Sequence, residues 1–186
     1  MNAGSRIPLW IIALLAALCL GVLAWTTFGF VVPFKHETGQ AVLDIYFAGY
    51  DELTVGRMQR LLGENDVANS LLRAMYAGPE LIFPALLTAL LLLVLMKLRP
   101  GGSYFARPIS PALIKLIYVL PFIYGLADYG ENIASLIAFG GSAWADRAAE
   151  LLPWMTRVKF ASLAICLIII ARFAIVRAMH RGDGER

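Results

Sequence analysis

Four stretches of this chain are apolar for long enough to cross a bilayer, and that constrains its fold more than any other feature. A membrane-spanning helix needs about 20 apolar residues to cross a ~30 Å hydrocarbon core, and lipid offers no partner to an unpaired backbone group. The first stretch, PLWIIALLAALCLGVLAWTTFGFVV, covers residues 8–32. The second covers 80–98, where Lys97 ends the run with a side chain long enough to snorkel. The third covers 112–139 and the fourth 153–176. The sequence therefore predicts one all-α domain over residues 1–186, an integral membrane four-helix up-down bundle. Short links such as RPGGSYFARPISP make consecutive spans antiparallel neighbours. Ser110 followed by Pro111 reads as an N-cap and first-turn proline opening the third span. With 16% charged residues, against about 25% in soluble domains, the chain has no soluble alternative of comparable merit.

The first run is too long for the 7–15-residue apolar region of a signal peptide, and no A-x-A site follows it, so it is expected to remain as a span. Threading follows the placement of Lys and Arg. Arg6, Lys97, Arg99, Arg107, Lys115, Arg172, Arg177, Arg181 and Arg186, nine of the 16 basic residues, fall on one side of the spans. The other side mixes its basic residues with most of the acids. Both termini are expected to be cytoplasmic, with the bacterial inner membrane as the location. Cys19 and Cys166 lie inside apolar runs, with no C-x-x-C and no Cys/His cluster, so no metal and no cofactor is expected. No basic cluster is dense enough for nucleic acid.

Residues 33–78 form the longest connection and should make a short amphipathic helical cap on the extracytoplasmic side. DELTVGRMQRLLG places Leu53, Met58, Leu61 and Leu62 on one helix face. ENDVANSLLRAMYAG does the same with Val67, Ala68, Leu71 and Met75. Between the first span and these helices, AVLDIYFAGY has no clear period and reads as an extended segment along the interface.

The third span carries the chemistry. Pro121, Tyr124, Gly125, Asp128, Glu131, Asn132 and Ser135 recur at three- and four-residue steps and share one helix face. Leu120, Phe122, Leu126, Ile133 and Ile137 occupy the outward rows. An acid at mid-membrane costs ~2.5–3.5 kcal/mol on insertion scales, so a polar stripe of this kind should point into the bundle. Counted from Leu116 at 1.5 Å per residue, Asp128 lies ~18 Å and Glu131 ~23 Å into the membrane, in its outer half. Arg157 and Lys159 on the fourth span are the candidate ion-pair partners, and Glu80 adds an acid at the outer mouth. No catalytic residues can be named: a nucleophile elbow, H-E-x-x-H and P-loop are all missing from the sequence.

The order Asp44, Gly49–Tyr50, Gly63, Phe83–Pro84, Pro121 and Asp128-x-x-Glu131–Asn132 resembles a group of uncharacterised small bacterial four-span inner-membrane proteins. The resemblance covers about residues 40–135 and implies four spans, with no activity attached. Two functions stay open. One is a non-enzymatic accessory or binding subunit, partnered by the lipid bilayer and by another membrane protein or a second copy. The other is a membrane-embedded proton, cation or lipid-substrate site built on Asp128 and Glu131. The same polar stripe would also serve as a buried cluster that fixes helix register.

Overall fold

The computed structural model describes residues 7–98, 103–104 and 107–182. Arg6, Arg99 and Arg186, and the side chains of Arg107 and Arg181, which carry part of the charge asymmetry, lie outside the described residues. In chain order the helices are α1 (Leu9–Thr26), a π turn (Thr27–Val31), α2 (Val32–Thr38), α3 (Glu52–Glu64), α4 (Asp66–Ala77), α5 (Pro79–Leu98), α6 (Pro111–Ala138) and α7 (Ala145–Gly182). A 3₁₀ turn, Leu43–Ile45, precedes α3, and Ser103–Tyr104 pairs antiparallel with Arg107–Pro108 in the link before α6. Four helices, Leu9–Thr38, Asp66–Leu98, Pro111–Ala138 and Ala145–Met179, are long and apolar enough to cross a membrane.

The first span runs six residues further than its apolar run, to Thr38, by way of the π turn. Pro33 explains the widening. It has no N–H, and its ring crowds the carbonyl of Gly29, so the preceding turn opens and Val32 N–H bonds back to Thr27 O. Gly39, at φ 70°, then stops the helix in the left-handed region. The fourth span likewise departs from its expected start. It is helical from Ala145, and Pro153 sits inside it. Ser110 accepts a hydrogen bond from Leu113 N–H at 3.3 Å and Pro111 occupies the first turn, as the sequence indicates.

Helix α6 packs most extensively on α7, α1 packs on α5, and α5 on α6. Among the described residues the first and last spans make no substantial contact with one another. Lys97 Nζ donates to Ile7 O at 2.6 Å and Arg177 donates to Lys97 O at 2.7 Å, which brings the start of α1 and the ends of α5 and α7 together. At the opposite end, Gln59 Nε2 donates to Ala138 O at 3.1 Å and Arg73 reaches Gly140 O at 3.5 Å. The cluster α2–α4 thereby supplies donors to carbonyls at and just beyond the α6 C-terminus, groups that such a terminus leaves unpaired.

The inward faces of the short helices differ from those the pattern implied. In α3 the buried side chains are Val55, Met58 and Leu62, while Leu53 is exposed. In α4 they are Ala68, Leu72, Met75 and Tyr76, while Val67 is exposed. Leu53 is nine positions from Leu62 and Val67 nine from Tyr76, about half a turn out of phase, so the helical period itself turns both away from the buried side.

Two apolar clusters result. One joins Phe34, Leu43, Val55, Met75 and Tyr76 to Ala138 and Leu152 at the ends of α6 and α7. The other, deeper along the spans, holds Leu91, Leu95, Ile117, Cys166 and Phe173. The polar stripe of α6 lies between them. Close approach there depends on Gly125, where an added Cβ would stand 2.5 Å from Thr88 Oγ1, a hydroxyl that itself donates to Pro121 O at 3.3 Å. Gly125→Ala should cost about 1–3 kcal/mol of stability by forcing α5 and α6 apart. Gly130→Ala, whose Cβ meets the flexible Met155 side chain, its sulfur at 3.2 Å, should cost less. Thermal unfolding of both variants in nanodiscs checks the order.

Candidate functional site

All seven residues of the α6 stripe are buried, while Phe122, Leu126 and Ile133 on the other face are exposed. Helical period and the cost of bare charge in lipid together produce that division. Glu131 is fully buried at 0% exposure, and Asp128 stands at 2%. Lys159 on α7 meets both. Its Nζ lies 3.3 Å from Asp128 Oδ1 and forms an ion pair with Glu131 Oε2. Arg157, the other candidate counter-charge, stacks on the Trp154 ring at 5.2 Å and makes no ion pair among the described residues. Arg157 and Lys159 are two positions apart, so the two side chains leave α7 on different faces and only one points inward.

Hydroxyl groups complete the cluster. Tyr124 donates to Asp128 Oδ2 at 2.6 Å. Thr156 Oγ1 bonds Glu131 Oε1, and Tyr50 Oη lies 2.9 Å from the same Thr156 oxygen. Asn132 Nδ2 donates to the Glu80 carbonyl at 2.8 Å and ties α6 to the start of α5. Asn132 Oδ1 is buried without a hydrogen-bond partner among the described residues. Ser135 is buried at the cluster's upper edge, beside Tyr76.

One acid comes from a segment with no sequence period. Asp44, in the 3₁₀ turn, accepts from Tyr76 Oη at 2.7 Å through Oδ1, while its Oδ2 is buried and unpartnered. Burial holds the Asp44 carboxyl above its ordinary value of 3.8; Lys159 and the Tyr76 hydrogen bond pull it down in part, and Asp128 adds to the rise. Burial likewise raises the Tyr50 hydroxyl, with the Glu131 charge adding to it. For a carboxyl raised on folding, the folded chain keeps its proton to higher pH than the unfolded chain. The associated stability is complete below about pH 4 and is lost as pH rises through the folded value. Asp44→Asn should flatten that decline, which a series of melting temperatures against pH in nanodiscs would record.

Asp44, Glu80, Asp128 and Lys159 all line one cavity of about 410 Å³. Its walls are hydrocarbon: Leu23 and Val31 from the first span, Phe83 and Leu87 from α5, Phe160 and Leu163 from α7. Thr26 enters from the end of α1 and Thr27 from the start of the π turn. The cavity thus occupies the gap left where the first and last spans fail to pack. Its volume is in the range of small-molecule sites. No family of proteins, no curated protein and no solved structure matches this chain. Among the described residues, no group of three or more His, Cys, Asp or Glu is placed to hold a metal ion.

Sequence reasoning had named Tyr124, Asp128, Glu131, Asn132, Ser135, Lys159 and Glu80, and these gather at or beside the cavity. It did not single out Asp44, Tyr50, Tyr76, Thr26, Thr27 or Thr156 for the site. Thr156 carried a usable signal: it stands three residues before Lys159 on α7, hence on the same face.

Proposed function

We propose that this protein is a non-enzymatic, membrane-embedded binding protein whose cavity takes the polar end of a lipid-like amphiphile. The threading that goes with this reading is an up-down bundle in a bacterial inner membrane, with both termini cytoplasmic and the short helices capping the outer face. The polar cluster then sits in the outer half of the bilayer. The observation that carries the reading is the cavity itself: apolar walls from three spans converging on Asp128 and Lys159, at a gap between the first and last spans. A site that joins hydrocarbon walls to a few fixed polar groups is built for a molecule with the same division. A cluster serving only to fix helix register has no use for the open volume beside it.

A photoactivatable diazirine amphiphile tests the proposal, added to the protein in nanodiscs and mapped by peptide mass spectrometry. Labelling should concentrate on Thr26–Thr27 and Phe160–Leu163 and fall when an unlabelled competitor is added. Labelling spread evenly over exposed outward residues such as Leu126 and Ile133, with no competition, would reduce the cavity to a packing defect. The second open function, an accessory subunit, would instead show as a co-purifying membrane protein with no saturable labelling.

A further inference from the structure

The polar end of the cavity is short of positive charge. Three carboxyl groups line it from three elements, Asp44 from the 3₁₀ turn, Glu80 from α5 and Asp128 from α6, and Glu131 of α6 lies behind Asp128 on the same lysine. Against them, among the described residues, stands one cation, Lys159 from α7, already engaged with Asp128 and Glu131. Tyr76 from α4, Tyr124 from α6 and Thr156 from α7 add hydroxyls, Tyr50 lies behind Thr156, and α1 with its π turn adds only the neutral Thr26 and Thr27. Two carboxyls are thus left over. The Glu80 carboxyl has no hydrogen-bond or ion-pair partner among the described residues, and Asp44 Oδ2 is buried with none. Both belong to groups that line the cavity rather than the packed interior.

We infer that the amphiphile's head is a cationic ammonium, seated between Asp44 and Glu80 with its alkyl part along Leu87 and Leu163. This inference rests on the proposed amphiphile site and names its ligand class. An anionic head would face carboxyls while Lys159, the one cation lining the cavity among the described residues, is occupied. A neutral hydroxyl head would bring a single donor and no charge to the Glu80 carboxyl and the unpartnered Asp44 Oδ2. A primary ammonium brings three donors and one positive charge, and hydrogen bonds to charged groups are the strongest kind available. Proton balance follows: where Asp44 holds its proton in the empty site, the entering ammonium replaces it and one proton is released.

The test uses the full chain in nonionic maltoside micelles with three probes of equal tail length: dodecylamine, dodecanol and dodecanoate. Binding is read by titration calorimetry in two buffers of different ionisation enthalpy, with protein-free micelles subtracted. Dodecylamine should saturate one site about tenfold or more below the concentration needed for dodecanol, with dodecanoate weakest and a proton released on amine binding. Glu80→Gln should weaken dodecylamine about tenfold and leave dodecanol unchanged. Asp44→Asn is the second variant should the first fail to fold. Equal or tighter binding of dodecanol or dodecanoate would overturn the cationic head and leave the amphiphile site standing. Failure of all three probes to saturate would overturn the site and the head together.

Discussion

Lys159→Met is expected to destabilise the chain by about 3–5 kcal/mol, the largest effect of any single substitution at the site. The methionine preserves most of the side-chain volume, so packing is not what is lost. Among the described residues the ammonium is the only cation within bonding distance of Asp128 and Glu131, and its removal leaves two carboxyls facing each other one helical turn apart. Glu131→Gln should cost less, because Lys159 then retains Asp128 and the amide still accepts from Thr156. The decisive variant is the triple Lys159→Met, Asp128→Asn, Glu131→Gln, which removes all three charges together. A buried ion cluster replaced as a unit is often neutral in stability, whereas a broken one is not, so the triple variant should recover most of what the single variant loses. Thermal unfolding in nanodiscs and monodispersity on gel filtration report both. A single Lys159→Met variant as stable as wild type would mean that the charges are not formed in the folded chain, and the cluster would then be a set of neutral hydrogen bonds.

The parts of this site visible in the sequence share a property: each lies on a long helix whose period is strict and whose environment punishes exposed charge. The α6 stripe can be read from residues 121 to 135 because only one face of a helix in lipid can hold Asp128, Glu131 and Asn132. Lys159 follows because an antiparallel neighbour brings it to the same height. Asp44 does not follow from any such rule. It belongs to AVLDIYFAGY, which has no period, and its placement depends on packing Val42 and Leu43 beneath α4 so that Tyr76 can reach it. Tyr50 and Thr156 meet across 106 positions of sequence, a contact that no local pattern encodes. The faces of α3 and α4 are a further case. Leu53 lies nine positions from the buried Leu62 and Val67 nine from the buried Tyr76, so the helical period puts each about half a turn from the buried face, and apolar type alone does not mark which side is buried. The cavity was equally out of reach of sequence. It arises where the first and last spans, among the described residues, make no substantial contact, and a hydropathy pattern describes what each helix buries without saying which pairs stay apart.

Closing the gap between those spans should abolish binding without harming the fold. Thr27 and Leu163 line the cavity from the first and last spans, and both are only half buried. Thr27→Trp with Leu163→Trp puts two indoles into the space. Enlarging a side chain in a filled core costs about 1–3 kcal/mol, but here the extra atoms enter open volume and gain dispersion contacts instead. The doubly substituted protein should therefore melt at the same temperature as wild type or a few degrees above it. Saturable binding of the amphiphile probe should fall by ~100-fold or more, since the ligand and the indoles compete for one space. The two readouts move in opposite directions only if the cavity is a binding site. A variant that melts lower while still binding would place the ligand elsewhere on the lipid-facing surface. Loss of both would show that the open volume is needed for folding, with α1 held away from α7 for a structural reason. Each wall substitution alone should give an intermediate loss, larger for Leu163→Trp, because Leu163 stands one turn from Lys159 and so reaches the polar end where the head must sit.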